Sequence, residues 1–367
     1  MSFPRKSCFV AKRIFISLIA MLVFGGLSGR GKGLQDTQQP AADFSGVKKF
    51  LELTAVLEEN GEPTREQWDA LFATPGYAVL TESEFQKDFF AERFRLAFMP
   101  SRADALKEQM KKDTGFRAQF LPHYLRAKAM RREIERWTAV QRPAELYDEA
   151  LAKARALLPE GAVAGWPAVA FVIFAPDARG YDPVVLDALY CMGKGGRLAD
   201  LVGHEFHHYY RNRLVDLNQD QGTLGVINQI HAEGIADLID KAEWIGKPES
   251  ALAPNEKDFV QLYRQSPSVI RTMDELFSRM NEMKTGRGEL GFELRRAVPQ
   301  SGHPTGLYMA TLILEELGKP ALVGVADDPF AFFRLYQEAA ARKHGDTPRF
   351  SNRAMAFLER LARFLEK

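Results

Sequence analysis

Two histidines and a glutamate in the middle of the chain have the spacing of a metal site. The pattern H-E-x-x-H occupies residues 204–208. An α-helix places residues four apart one turn above each other, so His204 and His208 can bind one metal ion together. Glu205 then projects beside the metal, where a carboxylate can activate water for hydrolysis. The pattern predicts a Zn2+ site with Glu205 as general base.

A catalytic zinc site needs a third protein ligand and an open position for water. The metzincin pattern would place a histidine six residues after the second one, but Leu214 stands there. A glutamate on a later helix is the other arrangement, and Glu233 is the candidate. Asp237 lies four residues further on the same helix face and is predicted to accept a hydrogen bond from a ligand histidine. His231 is the alternative third ligand.

Hydrolysis through a tetrahedral intermediate also needs a donor near the developing oxyanion. Tyr308, His303 and His231 are the candidates, and Tyr308 is preferred because it opens a helix after a loop containing glycine and proline. His207 lies between the two ligand histidines in sequence. On a helix it points about 100° away from His208, so it is interpreted as a neighbour of the site.

Three segments carry a resemblance to a known group of enzymes. They are residues 203–208, 233–237 and 302–310, and residues 68–77 add a weaker similarity. The sequence resembles the gluzincin clan of zinc metallopeptidases, and more narrowly a group of bacterial proteins described as zinc-dependent peptidases. The resemblance implies that His204, His208 and Glu233 bind zinc while Glu205 is base and proton shuttle. The 24 residues between His208 and Glu233 exceed the spacing in well-studied gluzincins.

The sequence of the N-terminal segment predicts that the protein is exported. Four basic residues precede an apolar run from Ile14 to Leu27, followed by small residues, as in a secretory signal peptide at residues 1–28. The run is short for a transmembrane helix, so cleavage is expected, with no stable membrane insertion afterwards. The expected location is periplasmic or extracellular. Cys8 falls in the signal, and Cys191 alone can form no internal disulfide.

Composition indicates an ordinary globular protein. The chain has 367 residues, 46% apolar and 26% charged, with a net charge of +1. This balanced charge does not indicate a nucleic-acid-binding surface.

A flexible linker is predicted at residues 29–43, a helical region at 44–160, and a zinc-peptidase core at 161–367, with 44–367 as an alternative single domain. Ala168 to Phe174 and Val184 to Met192 are predicted strands, and either would pair with an extended peptide if it formed a sheet edge.

The fold class that follows is α+β and predominantly helical, with a gluzincin-like catalytic core, a small β-sheet and an active-site helix that carries H-E-x-x-H. The predicted function is a secreted zinc-dependent peptidase acting on peptide or protein substrates. The alternative is a non-catalytic secreted binding protein on a gluzincin-like scaffold with a structural metal. The third hypothesis is a hydrolase of non-peptide amides.

Overall fold

The computed structural model describes residues 42–140, 144–215, 222–283, 287–343 and 345–365. The predicted signal peptide and nearly all of the predicted linker lie outside these residues. The described part is predominantly helical with one small sheet, and this coarse fold class is as predicted. In the same ranges, no helix is long and apolar enough to cross a membrane.

Helices form the described chain before the sheet. They are α1 (Ser45–Glu58), α2 (Arg65–Phe72), α3 (Pro75–Ser83), α4 (Lys87–Phe98), α5 (Ala103–Lys112), α6 (Phe120–Ala129), α7 (Arg131–Ala139) and α8 (Ala144–Arg155). A capping box fixes the start of α2. The Thr64 hydroxyl accepts from the N–H of Gln67, whose side chain accepts from the N–H of Thr64. These reciprocal bonds satisfy two N–H groups that the helix leaves free.

The sheet is small and buried. Its strands in the described chain are β1 (Val169–Val172), β2 (Ala178–Arg179) and β3 (Val184–Asp187), in the order β1-β3-β2. β1 runs parallel to β3, and β2 runs antiparallel to it. On the outer side of β1, the N–H of Asp43 donates to the Val169 carbonyl at 2.8 Å, and its carbonyl accepts from Phe171 at 2.7 Å. The β1 edge is therefore occupied near Ala170 by the chain's own residue 43.

Helices also form the chain after the sheet. They are α9 (Ala188–Met192), α10 (Leu198–Leu214), α11 (Thr223–Asp240), α12 (Ala242–Ile245), α13 (Pro254–Glu282), α14 (Arg287–Ala297), α15 (His303–Leu317), α16 (Lys319–Val323), α17 (Pro329–Arg342) and α18 (Asn352–Leu365). Apolar residues at helical spacing bury the inner face of each long helix against its neighbours. α10, α11 and α15 are the helices that carry the predicted site residues.

The strand predicted from Val184 to Met192 is wrong in its second half, because β3 ends at Asp187 and α9 follows directly. The Asp187 carboxylate accepts from the N–H of Tyr190 at 2.7 Å and so caps α9. It also accepts from the N–H of Phe174 at 2.7 Å and lies 2.9 Å from Nε2 of His123. The buried carboxylate both ends the strand and ties α6 to the sheet.

Two glycines let α11 and α15 cross in backbone contact. A Cβ added to Gly306 would lie 2.2 Å from the carbonyl oxygen of Ile230 and 2.8 Å from the Cα of Gly234. Only glycine allows backbones to approach this closely. The crossing holds the first turn of α15 against the middle of α11, and both segments carry predicted site residues.

One cluster of buried apolar side chains extends from Val47 in α1 through the sheet to Leu358 in α18. A smaller cluster lies around Trp244 and Phe259. The large cluster includes residues on both sides of position 160. The division of the chain at that position stays a prediction.

Candidate metal centre

α10 presents the H-E-x-x-H residues on one face while its apolar residues pack inward. Val202 and Phe206 are fully buried in the core, and this fixes the rotation of the helix. Gly180, directly after β2, packs against the helix on the other side: a Cβ there would lie 2.4 Å from Cβ of His208 and 2.8 Å from the carbonyl of Glu205. The end of β2 therefore lies directly on the turn that carries the base and the second histidine.

His204, His208 and Glu233 bring three metal-binding atoms together. Nε2 of His208 lies 2.9 Å from Nε2 of His204 and 3.0 Å from Oε2 of Glu233. The third separation, from Nε2 of His204 to Oε2 of Glu233, is 3.4 Å. Tetrahedral zinc with ligands at about 2.0–2.2 Å would separate ligand atoms by roughly 3.3 Å. The spacing and the N, N, O chemistry of this cluster both fit zinc.

Around this cluster the described residues include no further His, Cys, Asp or Glu atom within 4.8 Å of all three ligand atoms. Two other groups of metal-binding type overlap it: one contains His204 with Asp237 and Asp240, and the other contains Glu233 with Asp237 and His303. In each, the atoms are close because histidine nitrogens face carboxylates. A site with three protein ligands leaves one tetrahedral position open, as hydrolytic zinc sites do.

The hydrogen bonds around the histidines differ from the predicted pattern. The sequence assigned Asp237 to a ligand histidine, but Nδ1 of His204 lies nearer to Asp240, at 2.9 Å, than to Asp237, at 3.5 Å. Asp237 instead faces Nδ1 of His303, which lies 3.0 Å from both of its oxygens. The reason is the pitch of α11, which places residues 233, 237 and 240 along one face at successive turns.

His303 lies beside the cluster without belonging to the ligand set. Its Nδ1 is 3.2 Å from Oε2 of Glu233, and its side chain is 27% exposed. The turn that places it is unusual: Gln300, Ser301 and Gly302 all have positive φ, at 45°, 53° and 94°. Consecutive left-handed residues store strain that surrounding structure must maintain, and they often occur at functional sites.

His231 is neither the third ligand nor an oxyanion donor in this structure. It is fully buried, and its Nε2 lies 2.9 Å from the carbonyl of Val325, while Nδ1 lies 2.7 Å from Nη2 of Arg211. Two residues on a helix correspond to about 200°, so His231 points away from the face that carries Glu233. Burial and the Arg211 charge lower the pKa of His231 well below its usual value, which keeps the ring neutral.

Tyr308, the preferred oxyanion donor of the sequence analysis, also lies elsewhere. Its ring packs against Tyr263 at a centroid distance of 5.7 Å, and the charges that act on it come from Lys343, Arg271 and Glu315. Five residues of helix turn it about 140° away from His303, so the two side chains leave α15 in different directions. His303 is the predicted donor that the structure brings to the cluster.

His207 lies in the protein interior, as expected for a neighbour of the site. It is fully buried, and burial followed by the charges of His208 and His204 lowers its pKa well below the usual value. A neutral, buried ring on the inner face of α10 is not available to the cluster that His204 and His208 form.

The electrostatics of the cluster favour a cation. Burial and the Lys241 charge lower the pKa of His204, but Asp240 and Glu233 oppose them, and the result is well above 6.5. Burial alone would raise the pKa of Glu233, but the charges of His208 and His303 have the larger effect and lower it to well below its usual value. Glu205 differs, since burial dominates and raises its pKa above 4.5. Positive charge is stabilised between the histidines and Glu233, beside a carboxyl group that holds protons more readily than usual.

Sequence reasoning missed Asp240 and Lys241. Asp240 comes three residues after Asp237 and seven after Glu233, and Lys241 comes four after Asp237. This is the spacing of neighbours on one helix face, so the signal was available in the sequence. Extending the helix-face argument by one turn would have found both residues.

The fold and the site together define a predominantly helical protein whose His, His and Glu side chains converge beside a second glutamate. Residues 68–345 match the model of the family described as "Putative zinc dependent peptidase (DUF5700)". The match covers most of the chain and all residues of the cluster, and the protein belongs to this family. No curated protein and no solved structure matches the chain.

Proposed function

We propose that this protein is an exported zinc-dependent peptidase of the gluzincin type. The observation that carries the proposal is the convergence of His204, His208 and Glu233 with Glu205 on the adjoining turn. When bound, zinc supplies Lewis acidity, which polarises a peptide carbonyl and lowers the pKa of water toward about 7. The rest of the chemistry belongs to side chains of this chain.

Glu205 is the general base. Glu205 is 5% exposed, so its carboxylate acts in an environment from which water is largely excluded. Burial raises its pKa, and this brings the carboxyl closer to the neutral range in which proton acceptance and return are both efficient. In the proposed reaction a Glu205 carboxylate oxygen takes a proton from water and later passes it to the amine that leaves.

His303 is the donor to the developing oxyanion. Asp237 accepts from Nδ1 of His303, which orients the ring and leaves Nε2 as the group that can face substrate. Asp237 and Glu233 also raise the pKa of His303 against the effect of burial, so the ring holds the proton that it must donate. This assignment replaces Tyr308 and His231, which lie away from the cluster.

An extended peptide is the substrate class that the surroundings favour. Residue 43 occupies the edge of β1, while β2 is the outer strand at the other side of the sheet. Gly180, at the end of β2, is in contact with the turn of Glu205 and His208. A peptide that pairs with β2 would therefore run past the base and the metal ligands. Export is proposed from the signal-like residues 1–28.

The test is cleavage of a mixed peptide library by zinc-loaded wild type and Glu205→Gln. We expect the variant to retain zinc, because its ligands are unchanged, and to lose about 10²–10⁴-fold in turnover, the usual contribution of a positioned base. Glu135→Gln, on the exposed surface of α7, is the matched control and should behave as wild type. Equal cleavage by Glu205→Gln would remove the assigned base. Zinc binding without cleavage by any form would favour the binding-protein alternative.

A further inference from the structure

Lys241 follows α11 and places one ammonium group between two buried carboxylates. Its Nζ lies 2.6 Å from Oδ1 of Asp237 and 3.1 Å from both oxygens of Asp240. The side chains of the two aspartates are 0% and 8% exposed, and that of Lys241 is 17% exposed. This is an interior charge cluster, where interactions are stronger and less screened than on the surface.

Each of the two carboxylates holds one histidine of the site. Asp240 lies 2.9 Å from Nδ1 of His204, and Asp237 lies 3.0 Å from Nδ1 of His303. His204 is a proposed metal ligand, and His303 is the proposed oxyanion donor. One ammonium group therefore contacts the partners of both histidines, although it touches neither ring itself.

We infer that Lys241 is a positioning residue that fixes Asp237 and Asp240, and through them the orientation of His204 and His303. The inference rests on the proposed function of the site. Two buried carboxylates that approach the same lysine would repel each other without it, and one would rotate away. A carboxylate that has moved no longer holds its histidine in the required tautomer and direction.

The balance of buried charge also supports a positioning role for Lys241. Glu205 follows His204 in α10, Glu233, Asp237 and Asp240 lie along one face of α11, and all four are largely buried. A divalent ion would offset only two of these negative charges. Although burial opposes charge on Lys241, Asp237 and Asp240 raise its pKa well above the usual value, so the ammonium stays charged. Lys241 therefore provides a permanent positive charge in addition to the two charges that a divalent metal ion would bring.

The test compares zinc affinity, kcat and KM for Lys241→Met and Lys241→Arg. Met fills a similar volume without charge, and we expect zinc affinity and kcat to fall about 10–100-fold, the usual cost of losing an outer-shell partner of a metal ligand. KM should change little, because Lys241 is not proposed to contact substrate. Arg keeps the charge and should stay within about threefold of wild type in zinc affinity. Lys247→Met, which removes an exposed ion pair with Glu243, is the control.

Wild-type zinc affinity and kcat in folded Lys241→Met would overturn the inference, and so would equal losses in the Met and Arg variants. Should Lys241→Met fail to fold because two buried carboxylates then face each other, Asp240→Asn is compared with the double variant Asp240→Asn/Lys241→Met, in which only one of those carboxylates remains. Because Lys241 acts on His204 through Asp240, the double variant should bind zinc within about threefold of the single one. A further tenfold loss would contradict the inference.

Zinc affinity, measured by competition with a chelator, needs no turnover. If wild type binds zinc but cleaves no peptide, the proposed function fails while the affinities of the Lys241 variants still decide the positioning role. If wild type cleaves peptides and Lys241→Met matches it in kcat and zinc affinity, only the positioning role fails.

Discussion

Gly306→Ala should separate α11 from α15 and displace His303. A Cβ at this position would lie 2.2 Å from the carbonyl oxygen of Ile230, whereas ordinary contacts begin near 3.4 Å. The obstacles are backbone atoms of α11, namely the Ile230 carbonyl and the Cα of Gly234, so no side chain can rotate away. The helices must therefore move apart by about 1 Å. His303 lies only three residues from Gly306, and a shift of 1 Å at a catalytic group can cost about 10²-fold in rate.

The stability cost should be smaller than the cost in rate. Overpacking destabilises by about 1–3 kcal/mol. Replacing a helical glycine with alanine stabilises the helix by up to about 1 kcal/mol, which partly offsets that cost. We therefore expect a folded variant whose melting temperature falls by a few degrees and whose kcat falls about 100-fold. Gly246→Ala is the control, since a Cβ there would meet no atom within 4 Å.

The assay is peptide hydrolysis at saturating zinc, with thermal unfolding and zinc affinity measured on the same preparations. A folded Gly306→Ala variant with wild-type kcat would refute the reasoning, because it would show that the close crossing does not set the position of His303. Loss of zinc affinity as large as the loss of kcat would instead place the displacement at Glu233, on the α11 side of the crossing.

Two further predictions concern the histidines. His303→Asn should bind zinc nearly as wild type, since His303 is outside the ligand set, but lose about 10²–10³-fold in kcat, as other oxyanion donors do; unchanged kcat would contradict the assignment. Zinc affinity should rise with pH through the raised pKa of His204, above 6.5, and level off beyond it, because the metal must displace a proton from that ring. Calorimetry in buffers of different ionisation enthalpy measures this proton release, and a pH-independent affinity would count against His204 as ligand.

Local signals predicted the local structure well. The capping residues at Thr64 and the period of apolar residues in α10 and α11 depend on neighbours along the chain, so they can be identified from the sequence. The strand predicted from Val184 to Met192 failed because apolar runs do not distinguish a short buried helix from a strand. Asp187 decides between the two, and its partners at His123 and Phe174 come from distant segments.

The candidate site, too, was predictable from the sequence only in part. Motif spacing along α10 was sufficient to propose His204, Glu205 and His208, whereas Glu233 was proposed from the gluzincin arrangement of a third ligand on a later helix. Which residues of α15 face the cluster depends on how α15 crosses α11, and no pattern within α15 distinguishes His303 from Tyr308. The crossing is set by two glycines on different helices, and the sequence does not indicate that they meet.

Charge balance connects this fold to its proposed chemistry. A protein interior penalises unpaired charge heavily, so buried charges occur with opposite charges or with metals. Burial lowers the pKa of Arg211 to about 10, but Glu233 opposes that effect, and among the described residues the guanidinium faces neutral partners: Asn228 at 2.5 Å, His231 at 2.7 Å and Asn212 at 3.5 Å. Arg211 and Lys241 together supply two positive charges against the four carboxylates of Glu205, Glu233, Asp237 and Asp240. A divalent cation at the three converging ligand atoms would neutralise the remainder, whereas without one the raised pKa of His204 lets that ring hold a proton.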